Sequence, residues 1–505
     1  MKKILPNIAV VVTLCLLSMQ MLQSQSDTGQ VKEPYRPAFH FSPKAHWMND
    51  PNGMVFHNGI YHLFFQYYPD GLVWGPMHWG HATSKDLIHW EEQPIALYPD
   101  SLGYIFSGST VFDEFNLSGL GKKHKAPLVA IFTHHNPAGE AAGLNTYQNQ
   151  SLTFSSDEGK SWTKYSHNPV LKNPGIKDFR DPKVSWYAIG KKWIMTLATS
   201  DRITFYSSRD LKNWKKESEF GENLGAHGGV WECPDLFPLE IDRKEVWVLL
   251  VSINPGGPNG GSATQYFIGH FDGQSFTASD TTTRFMDYGP DDYAGVTISN
   301  TAKRKILIGW MSNWQYGKLV PTTPWRSAMT VPRELGLKEL GGKLFLISNP
   351  VAELSARMRE PIAITSINVK NKFDLSNKIN DNSSLFSLTI ADAEAKDFSI
   401  VLTNDAGDEM VIGYDKKTNQ YYIDRTKSGI VDFEPGFAKI LFAPRIAFGP
   451  INLTLLADKA SVELFADGGL SVMTGIFFPR QPIDKIYLKS DDGERIKSVI
   501  YQRME

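Results

Sequence analysis

Between residues 84 and 276 one local pattern recurs four times: a turn-forming aspartate or glycine, then an aromatic that opens a strand-like stretch. Ser84-Lys85-Asp86-Leu87-Ile88-His89-Trp90 is followed by Ser155-Ser156-Asp157-Glu158-Gly159-Lys160-Ser161-Trp162. Ser208-Arg209-Asp210-Leu211-Lys212-Asn213-Trp214 and Phe271-Asp272-Gly273-Gln274-Ser275-Phe276 complete the set. Aspartate closes such turns by accepting backbone N–H bonds, and the aromatic favours the strand that follows. The aromatics Trp90, Trp162, Trp214 and Phe276 are 72, 52 and 62 residues apart. That spacing suits four-stranded blades with loops of unequal length, hence a β-propeller. An ordinary β-sandwich with coincidental turns is the alternative. Leu128–His134, Trp193–Ala198, Val246–Ile253 and Ile306–Met311 read as strands, and long amphipathic helices are lacking.

All 13 Trp lie between Trp47 and Trp325, and all 13 His at or before His270. The remainder lacks both yet stays rich in Val, Ile, Leu and Phe, with alternating stretches at Phe398–Leu402, Ile451–Leu456 and Ser461–Phe465. The expected organisation is therefore a site-bearing propeller over 27–340, a linker over 341–355, and a β-sandwich over 356–505. Residues 1–26 read as a secretory signal, with Lys2 and Lys3, an apolar run from Ile8 to Leu22, and small Ser24 and Ser26 before Asp27. A lipid anchor on Cys15 is the weaker alternative, because Leu14 stands where a small residue is expected. The mature chain would keep only Cys233, so no internal disulfide is expected.

The 52 basic and 54 acidic residues give a net charge of −2, which lacks the field that nucleic-acid binding requires. No later apolar run reaches the ~18 residues of a membrane span. The aromatic content of 12% suits a carbohydrate partner, since aromatic faces stack on sugar rings, although ordinary core packing accounts for most Trp.

Three carboxylates stand in unusual settings. Asp50 lies in His46-Trp47-Met48-Asn49-Asp50-Pro51-Asn52-Gly53, where Pro51 keeps it out of the helical region. A plain turn explains that segment equally well. Asp181 precedes Pro182 and follows Arg180, which favours its ionised form; a surface ion pair is the bland alternative. Glu232, in Trp231-Glu232-Cys233-Pro234, is expected to be partly desolvated beneath Trp231, which suits a general acid. Its ordinary reading is a strand-end glutamate. Together on an all-β scaffold the three point to glycoside hydrolysis.

With these motifs in view the chain resembles glycoside hydrolase family 32, the invertases, inulinases and levanases. The resemblance rests on Trp47–Gly53, Phe106-Ser107-Gly108-Ser109, Arg180-Asp181-Pro182 and Glu232-Cys233-Pro234, in that order. In the tail, Val462-Glu463-Leu464-Phe465 and Met473–Pro479 are similar to the family's C-terminal sandwich. The resemblance implies a five-bladed propeller with a funnel-shaped site, then a β-sandwich. It implies Asp50 as nucleophile, Glu232 as acid/base, and Asp181 as transition-state stabiliser. Asn49, Gln66, Trp74, Phe106, Ser107, Arg180, Tyr293 and Trp310 would line a terminal fructose subsite. Asp292 stands where many relatives carry an aromatic, and is expected at the pocket rim.

The implied chemistry is retaining hydrolysis of fructan or sucrose-type substrates, with no cofactor and no metal. Retention would hold the two carboxyls roughly 5–5.5 Å apart. The adjacent His134-His135 reads as strand or loop rather than a ligand pair. A sialidase, suggested by the Ser155–Trp162 box, would need an arginine cluster and a Tyr nucleophile, and no matching arginine set is present. A non-catalytic carbohydrate-binding protein is the other rival; retention of all three carboxylate motifs argues against it. Exo-attack is expected, with endo-attack along a cleft supplied by the Gly- and Pro-rich loop Asn254–Ser262 and Trp314-Gln315-Tyr316 as the alternative; β-2,1 and β-2,6 substrates share the terminal subsite.

Overall fold

A computed structural model describes residues 33–122 and 125–505. The expected signal segment and Cys15 lie outside the described residues. No helix among the described residues is long and apolar enough to cross a membrane.

Five antiparallel sheets form the blades of a propeller. Blade I comprises His46–His57, Ile60–Tyr68, His78–Ser84 and Glu91–Leu97. Blade II comprises Tyr104–Phe112, Leu128–His135, Gln148–Ser155 and Thr163–Lys164. Blade III runs through Phe179–Tyr187, Lys192–Thr199, Arg202–Ser208 and Lys215–Phe220. Blade IV runs through Val230–Ile241, Lys244–Asn254, Ala263–Phe271 and Phe276–Ala278. Tyr293–Thr297, Ile306–Met311, Arg333–Leu340 and Lys343–Pro350 make blade V. The middle strands are buried on both faces, as in Leu128–His135, because each blade is covered by two neighbours. The outermost strand of blade III, Lys-Lys-Glu-Ser-Glu-Phe, carries charge where an unpaired edge meets water.

The repeated aspartate turns connect the third and fourth strands of blades I to IV. Asp86 Oδ1 accepts from the N–H groups of Ile88 and His89 at 3.0 and 2.8 Å. Asp210 repeats this with Lys212 and Asn213, and Asp272 with Gln274 and Ser275. Asp157 accepts from Ser161 N–H at 2.9 Å, so the Ser155–Trp162 box is one of these structural turns. Blade V turns instead on Gly341-Gly342, both at positive φ, and leaves no aspartate signature.

The ring closes where the short strand Trp325–Arg326 runs parallel to the start of blade I, and His46 N–H donates to Pro324 O at 2.7 Å. The first strand of every blade contacts the first strand of the next, and blade V's returns to blade I's. These five strands surround the axis.

Most of the stretch 341–355 is regular structure. Lys343–Pro350 pairs with Arg333–Leu340 as the last hairpin of blade V, followed at once by the 3-10 helix Ala352–Arg357. The C-terminal part is a sandwich-like β domain organised by its 19-residue last strand, Lys485–Arg503. Residues 485–489 of that strand pair with Phe398–Thr403, and residues 496–503 pair with Phe386–Ala393. One strand thus belongs to both layers, and Leu388, Ile400, Leu455 and Val499 fill the core between them.

Buried charge joins the propeller to this domain. Arg333 donates to Asp287 and Asp292 at 2.9 and 2.8 Å and to Glu463 from its Nε at 3.1 Å. Arg425 bonds Asp291 at 2.9 Å, and His40 bridges Asp458 and Glu463 at 2.8 and 2.7 Å. All of these residues are buried. Asp292 therefore anchors the sandwich and is absent from the pocket rim where it was expected.

Candidate active site

Each innermost strand carries a two-against-one bulge near its start. In blade I, Asn49 and Asp50 stand opposite the single residue Gln66, because Met48 pairs with Tyr67 while Pro51 pairs with Phe65. Phe106 and Ser107 bulge in blade II, Asp181 and Pro182 in blade III, and Cys233 and Pro234 in blade IV. Ala294 and Gly295 do so in blade V. A bulge bends its strand and re-aims side chains. Here the bulges of blades I to IV lie at or beside Asp50, Ser107, Asp181 and Glu232, whose side chains gather at one end of the axis. Asp181 and Cys233 have φ of 64° and 44°, a left-handed conformation that is strained for side-chain-bearing residues and clusters at functional sites.

The funnel so formed has a volume of about 290 Å³ and is lined by Asn49, Asp50, Gln66, Trp74, Phe106, Ser107, Arg180, Asp181 and Glu232. Asn49 Nδ2 donates to Asp50 Oδ1 at 2.9 Å, and Ser107 Oγ donates to Asp50 Oδ2 at 2.9 Å. Trp47 Nε1 fixes the Asn49 amide by donating to its oxygen at 2.7 Å. Arg180 donates from Nε and Nη2 to Glu232 Oε1 at 3.2 and 2.9 Å, and from Nη1 to Asp178 at 2.7 Å. The Tyr293 hydroxyl donates to Glu232 Oε2. Cys233 N–H donates to Asp181 Oδ2 at 3.0 Å, and Cys233 Sγ lies 3.6 Å from Asp50 Oδ2 and 3.7 Å from Asp181 Oδ2. The Cys233 thiol thus sits between two carboxyls.

Burial, and after it the negative charge of Glu232, push the Asp50 carboxyl above the ordinary carboxylate range, against the pull of Asn49 and Ser107. Asp181 is pushed up to about 7 by burial, with Arg180 opposing and Glu232 and Asp50 adding to the rise. Burial disfavours the charged Arg180, but Glu232, Asp181 and Asp178 outweigh it and keep the guanidinium protonated. Burial, then the surrounding carboxylates, keep Cys233 a thiol.

Three expected placements differ. Trp231 does not cover Glu232: neighbouring strand residues face opposite ways, and its indole N–H reaches Ala226 O at 2.9 Å on the far side. Trp310 is wholly buried beneath Trp314, 5.0 Å between ring centroids, and Trp314 forms the wall. Tyr293 backs the funnel through Glu232 rather than lining it. Sequence reasoning missed Asp178, His135, Glu140, Gln148 and Lys318 in the lining. Asp178 was findable, two residues before Arg180 and so on the same side of an extended segment. His135 stacks on Phe106 at 4.2 Å and 7°, a contact set by the pairing of distant strands.

Paired carboxyls with an arginine and a tyrosine, at the mouth of a five-bladed propeller, define a glycoside hydrolase. Residues 40–350 match the model of the glycosyl hydrolases family 32 N-terminal domain, and 353–502 the family 32 C-terminal model. A levanase of Bacillus subtilis is 43% identical, with 99% of this chain and 74% of the relative aligned. An extracellular exo-inulinase of Aspergillus ficuum is 41% identical over 91% of this chain and 93% of the relative. The crystal structure of exo-inulinase from Aspergillus awamori superposes with a TM-score of 0.86 at 36% identity, covering 94% of this chain and 99% of that one. The chain belongs to glycoside hydrolase family 32, and its activity class is β-fructofuranosidase.

Proposed function

We infer that this enzyme releases single fructose units from fructans such as levan and inulin, and from sucrose, with retention of configuration. The observation that carries the reading is the polar set gathered at the inner-strand bulges. Asp50, whose Oδ1 accepts from Asn49 and whose Oδ2 accepts from Ser107 and the Cys233 thiol, faces the funnel with neutral donors only. It attacks the anomeric carbon of the terminal fructosyl unit while Glu232 delivers a proton to the departing oxygen. The glycosidic bond breaks and an ester to Asp50 forms. Water, deprotonated by Glu232, then displaces fructose from Asp50, and the Glu232 carboxyl is protonated again. Arg180 and Tyr293 orient Glu232, and Asp181 accepts hydrogen bonds from fructose hydroxyls.

Exo-attack is favoured by the deeply buried Asn49, Gln66 and Asp181, which satisfy the hydroxyls of one furanose. The loop 254–262, the candidate border of an endo-type cleft, is tethered away from free movement. Asn259 is tied to the sandwich through Phe442 N–H and O at 3.0 and 2.9 Å. The names of the levanase and exo-inulinase relatives agree with fructan as substrate, and the extracellular relative agrees with export through the expected signal. Time-resolved chromatography of levan and inulin digests tests this. Fructose alone is expected at early times; mixed oligosaccharides with little fructose would contradict it.

A further inference from the structure

A second cavity lies away from the catalytic funnel. The innermost strands all begin at the catalytic funnel and leave at the opposite end, where a cavity of about 400 Å³ opens between blades II, III, IV and V. Its wall includes Trp186, five residues beyond Asp181 on one strand and so about 16 Å further along it. Between Asp181 and Trp186 on that strand, Lys183 forms an ion pair with Asp235 at 3.2 Å, and Thr297 N–H and hydroxyl donate to Asp235 Oδ2 at 2.6 and 2.7 Å.

Two buried polar atoms of the lining residues lack a partner: Asp235 Oδ1, on a side chain 1% exposed, and the indole N–H of Trp193. Buried polar groups are normally satisfied, so an unpaired acceptor and an unpaired donor on two lining residues are what a hydroxyl-bearing occupant would complete. At the rim stand Phe115 and Ile189, 68% and 82% exposed, the two most exposed large hydrophobic side chains among the described propeller residues. The lining charges, Lys183 and Lys305 against Asp235, Glu114 and Glu245, nearly cancel, so no field favours an ionic ligand. A neutral molecule with apolar faces and many hydroxyls fits this combination.

We propose that this cavity is a second saccharide site that holds fructosyl units of the polymer whose ends the catalytic funnel cleaves. It rests on the fructan reading above. Holding a polymer at a second point raises its local concentration at the funnel without altering the chemistry.

The test is native electrophoresis through gels containing levan, run with Asp50→Asn so that the polymer survives. Phe115→Ala and Ile189→Ala, alone and together, are added to that background; both side chains are exposed, so folding is undisturbed. Retardation by levan is expected to weaken about tenfold in the double rim variant, the size of effect that loss of a stacking contact gives. With Asp50 intact, the rim variants are expected to keep wild-type kcat/KM on sucrose. Unchanged retardation, or an equal loss of sucrose turnover, overturns the second site. Absence of fructose release from sucrose and levan by the wild-type enzyme instead overturns the funnel reading, so the two failures are distinct.

Discussion

The catalytic funnel and the propeller–sandwich interface both bury carboxylates beside cations, yet they are built to opposite ends. At the interface Asp287, Asp291, Asp292, Asp458 and Glu463 share Arg333, Arg425 and His40. Backbone N–H groups add to this: Thr474 to Asp287, Ile476 to Asp291, Ala38 to Asp458, and Val331 to Glu463. In the funnel Asp50, Asp178, Asp181 and Glu232 surround a single buried cation, Arg180. At the interface Asp458 and Glu463 are held below the ordinary carboxylate range by their cations, while burial pushes Asp291 up and Asp292 up to about 7. In the funnel burial raises Asp50 and Asp181 in the same way, and neighbouring carboxylates add to the rise. What separates the two regions is access: the interface carboxylates are sealed against the sandwich, whereas those of the funnel line an open cavity.

The largest expected effects cut this comparison in two. Asp50→Asn should lower kcat/KM on sucrose by about 10³-fold or more while leaving Tm unchanged or raised, because one of the crowded charges is removed. Arg333→Met should do the reverse. It leaves Asp287, Asp292 and Glu463 buried without their cation, which costs about 3–5 kcal/mol of stability, with activity per folded molecule retained at low temperature. Thermal melts and initial rates on both variants check the division. A 27–354 fragment would strip the same partners from Asp287, Asp291 and Arg333, so it is expected to fold poorly rather than fail at the chemistry.

A smaller effect tests the joint through pH. Burial pulls His40 down, but Asp458 and Glu463 outweigh it and hold it at about 9, above its ordinary 6.5. That raised value stabilises the fold fully below pH 6.5, and the contribution is lost as pH rises through about 9. Glu463, set against desolvation by Arg333 and His40, is held at about 2 from an ordinary 4.5. Its contribution is present above 4.5 and lost as pH falls through about 2. Tm should therefore decline on the alkaline side between pH 6.5 and 9, and His40→Gln should flatten that limb while lowering Tm throughout.

The smallest effect sharpens the funnel. Ser107→Ala removes a donor that opposes the rise of Asp50. The Asp50 carboxyl then rises further, so the acid limb of kcat/KM should move to higher pH, with a loss of about tenfold or less at neutral pH. An unmoved acid limb would show that another group sets it.

The same contrast explains what was legible in the sequence. The aspartate turns of blades I to IV are local chemistry, since Asp86 and Asp210 bond atoms two and three residues on, and the chain displays them. Blade V turns on two glycines, so Ile306–Met311 reads as a strand but the fifth blade itself comes only through family resemblance. Asp50, Asp181 and Glu232 stood out through their Pro, Arg and Cys neighbours. The bulges that aim these side chains depend on which distant residue each strand pairs with, as Gln66 opposite Asn49 and Asp50 illustrates. Asp292 and Trp310 are assigned to the funnel by the family resemblance alone. Packing against Arg333 and Trp314 decides otherwise.

The central claim is that Asp50 forms the covalent bond and Glu232 moves the proton. Intact-mass and peptide mapping of Glu232→Gln after reaction with fructosyl fluoride tests it most directly, because that leaving group departs without protonation. The expected result is one fructosyl unit per chain, carried on the peptide containing Asp50, and none in the Asp50→Asn/Glu232→Gln double variant. Label on Asp181 or any other residue, or rapid unlabelled turnover in the double variant, would contradict the account.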